Sequence, residues 1–261
     1  MSTISPPDYV SDPALADHAA HLRELIATSS HIVAFTGAGI SAESGIPTYR
    51  GSGGLWSKYE PDKYASIQHF NIDPTYYWNF FRDIRFSTIT DAKPNAGHFA
   101  LAELERQGKL KSVITQNIDG LHGEAGSVNI LELHGNTRRY YCLDCGKNYT
   151  IFEVAEMLEQ QNPVRCAACQ GIVRPATVMF GETLPEDIMP QASKESHDCD
   201  LMIVVGSSLV VYPAAEFPYY AKSTGAKLAI INVDPTPLDS MADMCTHSPA
   251  ANLLAMAVWE G

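Results

Sequence analysis

Short apolar runs alternate along the chain with stretches in which apolar residues recur at helical spacing. The runs at Ile32–Thr36, 112–115, 130–133, Leu201–Val205 and 228–232 are too short for helices and predict strands. They are apolar almost throughout, as strands covered on both faces of a parallel sheet must be. The stretches between them can hold crossover helices, so the expected fold class is α/β. A first helix is signalled by Asp12 as N-cap and Pro13 behind it, with Leu15, Leu22, Leu25 and Ile26 forming one apolar stripe.

Two regions break this rhythm. Residues 49–94 are rich in aromatics, including Phe70, Tyr76, Tyr77, Trp78, Phe80 and Phe81, and read as an inserted helical module stopped at Pro94 and Asn95. Residues 136–177 hold four cysteines and a polar helix candidate at 152–160, with no run suited to the central sheet. The expected organisation is a discontinuous large domain, 1–48, 95–135 and 178–261, with 49–94 and 136–177 together forming a small one.

Composition narrows the classes. The 261 residues carry 18 basic and 30 acidic side chains, a formal charge of −12, which argues against a broad nucleic-acid-binding face and suits a basic peptide partner. No apolar run is long enough to cross a bilayer. Residues 1–10 show no basic stretch followed by an apolar one, so no signal peptide is expected. A cytoplasmic, reducing location is the expectation, with a nuclear one left open, and it favours metal ligands or thiols over disulfides for the six cysteines.

The cysteines are the most specific local signal. Cys142 and Cys145, then Cys166 and Cys169, form two C-x2-C pairs separated by 20 residues, the spacing of a four-thiolate zinc ribbon. Four thiolates complete a tetrahedral shell, so the metal is expected to be structural. Cys199 and Cys245 have no such partners and read as buried small apolar residues.

The first strand candidate runs into Gly37, Ala38 and Gly39, where glycines let backbone approach a pyrophosphate at a helix N-terminus. The fingerprint is imperfect, because the third glycine is missing from its usual place. Two other strand ends strengthen it: Gly206, Ser207 and Ser208 follow one, and Asn232, Val233 and Asp234 another. Open parallel sheets bind ligands outside the carboxyl ends of their strands, and such groups suit phosphate and ribose. Gln116, Asn117, Ile118 and Asp119 end a fourth run and His134 a fifth. An amide, a carboxylate and an imidazole there can order a ribose and move a proton near neutral pH, although a lone histidine is more often structural. His98 and His122 receive the structural reading.

Taken together, GAGISAESGIPTYRG (37–51), TQNIDGLH (115–122), LHG (133–135), the cysteine pairs, FGE (180–182), GSSLVVYP (206–213) and NVD (232–234) resemble the signature set of the sirtuins, NAD-dependent protein-lysine deacylases. The resemblance covers about residues 32–250, and the short tails resemble the compact microbial form. It implies a Rossmann-like NAD domain carrying a small zinc-ribbon and helical module, with substrate entering between them. It further implies that NAD is consumed: nicotinamide leaves and the acyl group passes from lysine to ADP-ribose, with His134 as general base. Asn117 and Asp119 would order the nicotinamide ribose, with Gln116 and Ile118 beside them. Gly37, Ala38, Gly39, Ser41, Glu43, Pro47, Thr48, Tyr49, Arg50 and Trp56 would line the cofactor loop. Gly206, Ser207, Ser208, Asn232, Val233, Asp234 and Ala250 would hold the rest of NAD. Val178, Phe180, Gly181, Glu182, Leu209 and Val210 would clamp an acyl-lysine peptide as an added strand. One structural Zn2+ would sit on the four cysteines.

Two departures matter. Tyr49 stands where the family commonly has Phe. Members that prefer succinyl or malonyl lysine carry a Tyr and, three residues later, an Arg; the equivalent pair here is expected to be Phe81 and Ile84, while Arg82 and Arg85 lack a Tyr at that spacing. An uncharged acyl group is therefore expected. A mono-ADP-ribosyltransferase would share the cofactor residues, and a non-catalytic NAD or ADP-ribose binding module would lack His134 or Asn117. Oligomeric state and physiological substrates are not encoded in any pattern.

Overall fold

Nine strands appear in the computed structural model, which describes residues 9–49 and 54–260. In chain order they are β1 (Ile32–Thr36), β2 (Leu110–Thr115), β3 (Ile130–Glu132), β4 (Gly135–Cys142), β5 (Asn148–Thr150), β6 (Val173–Thr177), β7 (Leu201–Val205), β8 (Lys227–Ile231) and β9 (Met244–Thr246). Six form one parallel sheet in the order β3-β2-β1-β7-β8-β9, and β5-β4-β6 form a separate antiparallel sheet. All five sequence-predicted runs are strands of the large sheet. β9 was missed because three residues, Met-Cys-Thr, leave no periodicity to read.

Both faces of the large sheet are covered, as the unbroken hydrophobicity required. Along β1, Ile32 and Ala34 enter one core with the helices Ala16–Thr28, Ala96–Arg106 and Ala250–Trp259. Val33 and Phe35 enter the opposite core with the helices Ile188–Asp198 and Glu216–Ser223. At the start of the first helix, Asp12 Oδ1 accepts the Ala14 N–H at 2.9 Å and caps a 3₁₀ turn, Pro13–Leu15, that leads into it. Among the described residues, no helix is long and apolar enough to cross a membrane.

The two interruptions of the rhythm share one hydrophobic core. Phe70, Tyr77, Trp78 and Phe81 share a core with Tyr140, Tyr149, Val154, Leu158 and Val173. The aromatic cluster of the insert is thus the core of a small module built from both segments, with the three-stranded sheet behind the cysteines. Between the helices Thr75–Phe80 and Phe86–Asp91 lies one π-helical turn, Phe81–Arg85, a distortion often retained at functional sites.

Candidate functional site

β1 lies between β2 and β7, and the chain leaves it toward β2 and β3 on one side and toward β7, β8 and β9 on the other. That reversal makes the carboxyl ends of β1 and β7 a topological switch point, where open α/β sheets bind ligands. A cleft of about 870 Å³ opens there, bounded by the strand ends, the small module and the start of the C-terminal helix.

The glycines at this point serve backbone contact between two loops. Gly39 N–H donates to the Gly206 carbonyl at 2.8 Å, and Gly37 N–H to that of Val205 at 3.0 Å. A Cβ on Gly37 would lie 2.7 Å from the Gly206 oxygen, and one on Gly39 would lie 2.5 Å from the Gly206 Cα. The sequence reading assigned these glycines to close approach of a pyrophosphate; the structure shows that they first permit the loops after β1 and β7 to meet. Gly206 itself has φ +62°, and a Cβ there would collide with Ile40 N and Gly39. Gly206→Ala is expected to cost about 2 kcal/mol or more of stability, from left-handed strain plus the clash, read as a lowered urea midpoint.

His134 follows β3 and lines the cleft. Its Nδ1 lies 2.8 Å from the Gln116 carbonyl, which can only accept, so Nδ1 carries the hydrogen and Nε2 keeps its lone pair. Burial pushes the imidazole below its ordinary pKa, opposed by the hydrogen bond to the Gln116 carbonyl. The ring is therefore a neutral base at pH 7.

Asn117 lines the cleft, its amide donating to the Gly37 carbonyl at 3.0 Å and to Ser41 Oγ at 3.2 Å. Ser41 is fully buried and donates to Asp119 Oδ2 at 2.8 Å, while Asp119 Oδ1 accepts the Leu121 N–H at 2.8 Å. Burial raises the Asp119 carboxyl pKa against the lowering effect of those donors. Ser41 and Asp119 thus lie behind the wall and fix Asn117. His98 and His122, given a structural reading, stand further back as a buried pair with ring centroids 5.0 Å apart. Gln116 Nε2 donates to Ser207 Oγ at 2.8 Å and ties two strand ends together.

Most of the other expected positions meet here. Ala38, Thr48, Tyr49, Trp56 and Ile118 line the cleft, as do Ser208, Asn232, Val233, Asp234 and Ala250. Glu43 instead accepts the Ala251 N–H at 2.9 Å and caps the C-terminal helix. Pro47 is not on the wall, and Arg50 lies outside the described residues. Val178, Phe180, Gly181 and Glu182 border the cleft, yet Glu182 makes a bidentate pair with Arg174, both oxygens at 2.7 Å, so its charge secures the loop. Leu209 turns its side chain into the core, and Val210 is half exposed beside the cleft.

The pair expected at the acyl pocket does not line the cleft. Phe81 is buried in the small-module core and Ile84 does not reach the cleft; Tyr77 and Arg85 line it instead. Two features hid this: Tyr77 and Arg85 are eight residues apart, and the π turn between them resets the helical register. The Arg85 guanidinium is 9% exposed and lies over the rings of Phe80, at 5.3 Å, and Tyr77, at 5.9 Å. Desolvation opposes its charge, but the tyrosines Tyr49, Tyr77 and Tyr140, with a hydrogen bond to Tyr77, outweigh it and raise its pKa above the ordinary value. Among the described residues no carboxylate forms an ion pair with it. Tyr49 stacks on Trp56 at 5.2 Å, and Trp56 meets Phe180 edge-on at 6.2 Å, closing an aromatic wall beside this cation.

The four cysteines converge as their spacing predicted. All four sulfurs lie within 4.8 Å of one another, with Cys142 and Cys169 at 3.5 Å and Cys145 and Cys166 at 3.6 Å. A tetrahedral zinc with bonds of ~2.3 Å requires sulfur separations of ~3.8 Å, so the set fits one structural zinc. The Tyr149 hydroxyl, 3.0 Å from Cys166 Sγ, is the main group holding that thiol below its ordinary pKa, toward the form a metal binds.

Comparison with known proteins agrees with this geometry. Residues 37–213 match the Sir2 family. An NAD-dependent protein deacylase 2 of Archaeoglobus fulgidus is 48% identical over 238 residues, covering 91% of this chain and 93% of that protein. An NAD-dependent protein deacetylase of Saccharolobus solfataricus is 48% identical over 227 residues, covering 87% and 90%. A solved Sir2–p53 peptide–NAD+ structure superposes with a TM-score of 0.86 at 41% identity, covering 92% of this chain and 97% of that one. The chain belongs to the Sir2 family.

Proposed function

We propose that this chain is an NAD-dependent protein-lysine deacylase in which His134 is the base and Arg85 reads the far end of the acyl group. The observation that carries the first part is the His134 ring, its proton fixed on the Gln116 side and its free nitrogen in the cleft next to Asn117. Bound NAD supplies an ADP-ribosyl group whose ribose carbon takes the acyl oxygen as nicotinamide departs. Asn117, braced by Gly37 and Ser41, holds the nicotinamide ribose. The Nε2 of His134 draws a proton from a ribose hydroxyl so that this oxygen can receive the acyl group. Ser207, Ser208, Asn232, Asp234 and Ala250 hold the adenosine side, while Tyr49, Trp56 and Phe180 keep water from the reacting carbon.

Peptide binds by strand addition between the loops at 178–182 and 208–212. Among the described residues, the Gly181 N–H, the Val178 carbonyl and the Val210 backbone make no internal hydrogen bond, which leaves two facing edges for a third strand. Backbone-led binding accepts many sequences, and the −12 charge favours lysine-rich ones.

The acyl preference rests on Arg85. The buried Arg85 cation is held by tyrosines and, among the described residues, by no carboxylate, so a ligand carboxylate would supply the opposite charge the site lacks. A succinyl or malonyl carboxylate reaching Arg85 and the Tyr77 hydroxyl would supply it, reversing the uncharged preference expected from Phe81 and Ile84. The test is nicotinamide release from NAD with acetyl- and succinyl-lysine versions of one peptide. Succinyl should be favoured, and Arg85→Met should lower its kcat/KM about 10- to 100-fold, the worth of one charged hydrogen bond, with a much smaller change for acetyl. Faster deacetylation in the wild type, with Arg85→Met affecting both peptides alike, would overturn this assignment.

A further inference from the structure

Beyond the cleft, the connection that follows β8 gathers three donors of different kinds. Asp239 stands on a 3₁₀ turn, Asp239–Met241; Cys245 is in the edge strand β9; His247 follows that strand. A carboxylate oxygen, the thiol sulfur and an imidazole nitrogen from these residues all lie within 4.8 Å of one another.

The imidazole is already set as a ligand. His247 Nδ1 is 3.2 Å from the Asn232 carbonyl, which can only accept, so Nδ1 carries a hydrogen and Nε2 is the nitrogen left for a ligand role. Metal-binding histidines are held in this way by a carbonyl on their other nitrogen. Nε2 points toward Asp239, 3.5 Å from Oδ2. Two ligands on a tetrahedral ion with bonds of ~2.1 Å stand ~3.4 Å apart. The carboxylate is also fixed, because Oδ1 accepts the Thr236 hydroxyl at 2.6 Å and Oδ2 its N–H at 3.1 Å.

We propose that Asp239, Cys245 and His247 form a second metal site, for a zinc-class divalent ion. Thiolate and imidazole donors select such ions over magnesium or calcium, which take oxygen shells. Three protein ligands leave a fourth position open to solvent, unlike the closed four-cysteine set. The Cys245 thiol gives up its proton to the medium on binding, and no electron moves. The site adjoins the cofactor cleft, since Asn232, whose carbonyl holds His247, lines the cleft with Asp234. The sequence reading of Cys245 as a buried apolar residue misses this grouping: His247 stands two residues on, but Asp239 comes alongside only through the turn before β9.

The test takes the full chain with its structural zinc, equilibrates it with Zn2+ alone and counts metal per chain after free ion is removed. Wild type should hold two zinc ions, and His247→Ala and Cys245→Ser one each, the retained ion reporting an intact four-cysteine module. Added to the wild type holding only its structural zinc, Co2+ should produce a thiolate-to-cobalt charge-transfer band that is missing in Cys245→Ser. One zinc in the wild type, or a second zinc that survives both substitutions, would show a thiol merely hydrogen-bonded to Asp239 and overturn the site.

Discussion

His134→Ala is expected to lower deacylation turnover by about 10²- to 10⁴-fold, the usual worth of a positioned general base, or about 3 to 5 kcal/mol of barrier. Zinc content and NAD binding should be retained, because the side chain leaves the sheet and the four cysteines untouched. The pH profile provides a second reading. Burial lowers the His134 pKa, and only the neutral ring accepts a proton, so activity is lost as pH falls through that lowered value. The acid limb of the wild-type profile should therefore lie below 6.5 and should vanish in the residual activity of the variant. Unchanged turnover would remove His134 from the mechanism.

Stripping the structural zinc, or replacing Cys166 with Ser, should abolish activity while the large sheet stays folded. Structural zinc in small domains supplies about 10 to 16 kcal/mol of binding energy, which is folding energy there. Cys142 and Cys166 sit inside the core that also holds Phe70, Tyr77 and Trp78, so losing the metal loosens the wall that carries Tyr77 and Arg85. Expected readings are loss of the four-cysteine zinc, proteolysis confined to 49–94 and 136–177, and retained far-ultraviolet signal from the remaining domain. A zinc-free chain with full activity would show the cysteines to be dispensable.

These two experiments bear on features of different legibility. The C-x2-C pairs could be assigned from spacing because two turns, each carrying two thiols, allow few other arrangements. The five main strands were readable for a related reason: a sheet buried on both faces needs continuous apolar runs. His134, Asn117 and the serines at 207 and 208 were found as polar groups at strand ends, where a parallel sheet places its ligands.

What sequence could not show is how separate segments share space. It grouped residues 49–94 and 136–177 but could not show which side chains they share as a core, because those side chains lie as far apart in the chain as Phe70 and Met179. Nor did it indicate that Gly37, Gly39 and Gly206 allow two loops to touch, that Glu43 caps a helix, or that Glu182 is tied to Arg174. Arg85 is the sharpest case. The family pattern, a Tyr followed three residues later by an Arg, pointed to Phe81 and Ile84 as the equivalent pair. One π turn changes the register, sending Phe81 into the core and the guanidinium into the cleft. By itself, the chain's order of residues determined the α/β fold and the zinc ligands and put His134 at a strand end, since each depends on local pattern. Tertiary structure alone put Tyr77 and Arg85 on the cleft wall and Asp239 beside Cys245 and His247, because there the arrangement depends on which atoms packing brings within a few ångströms.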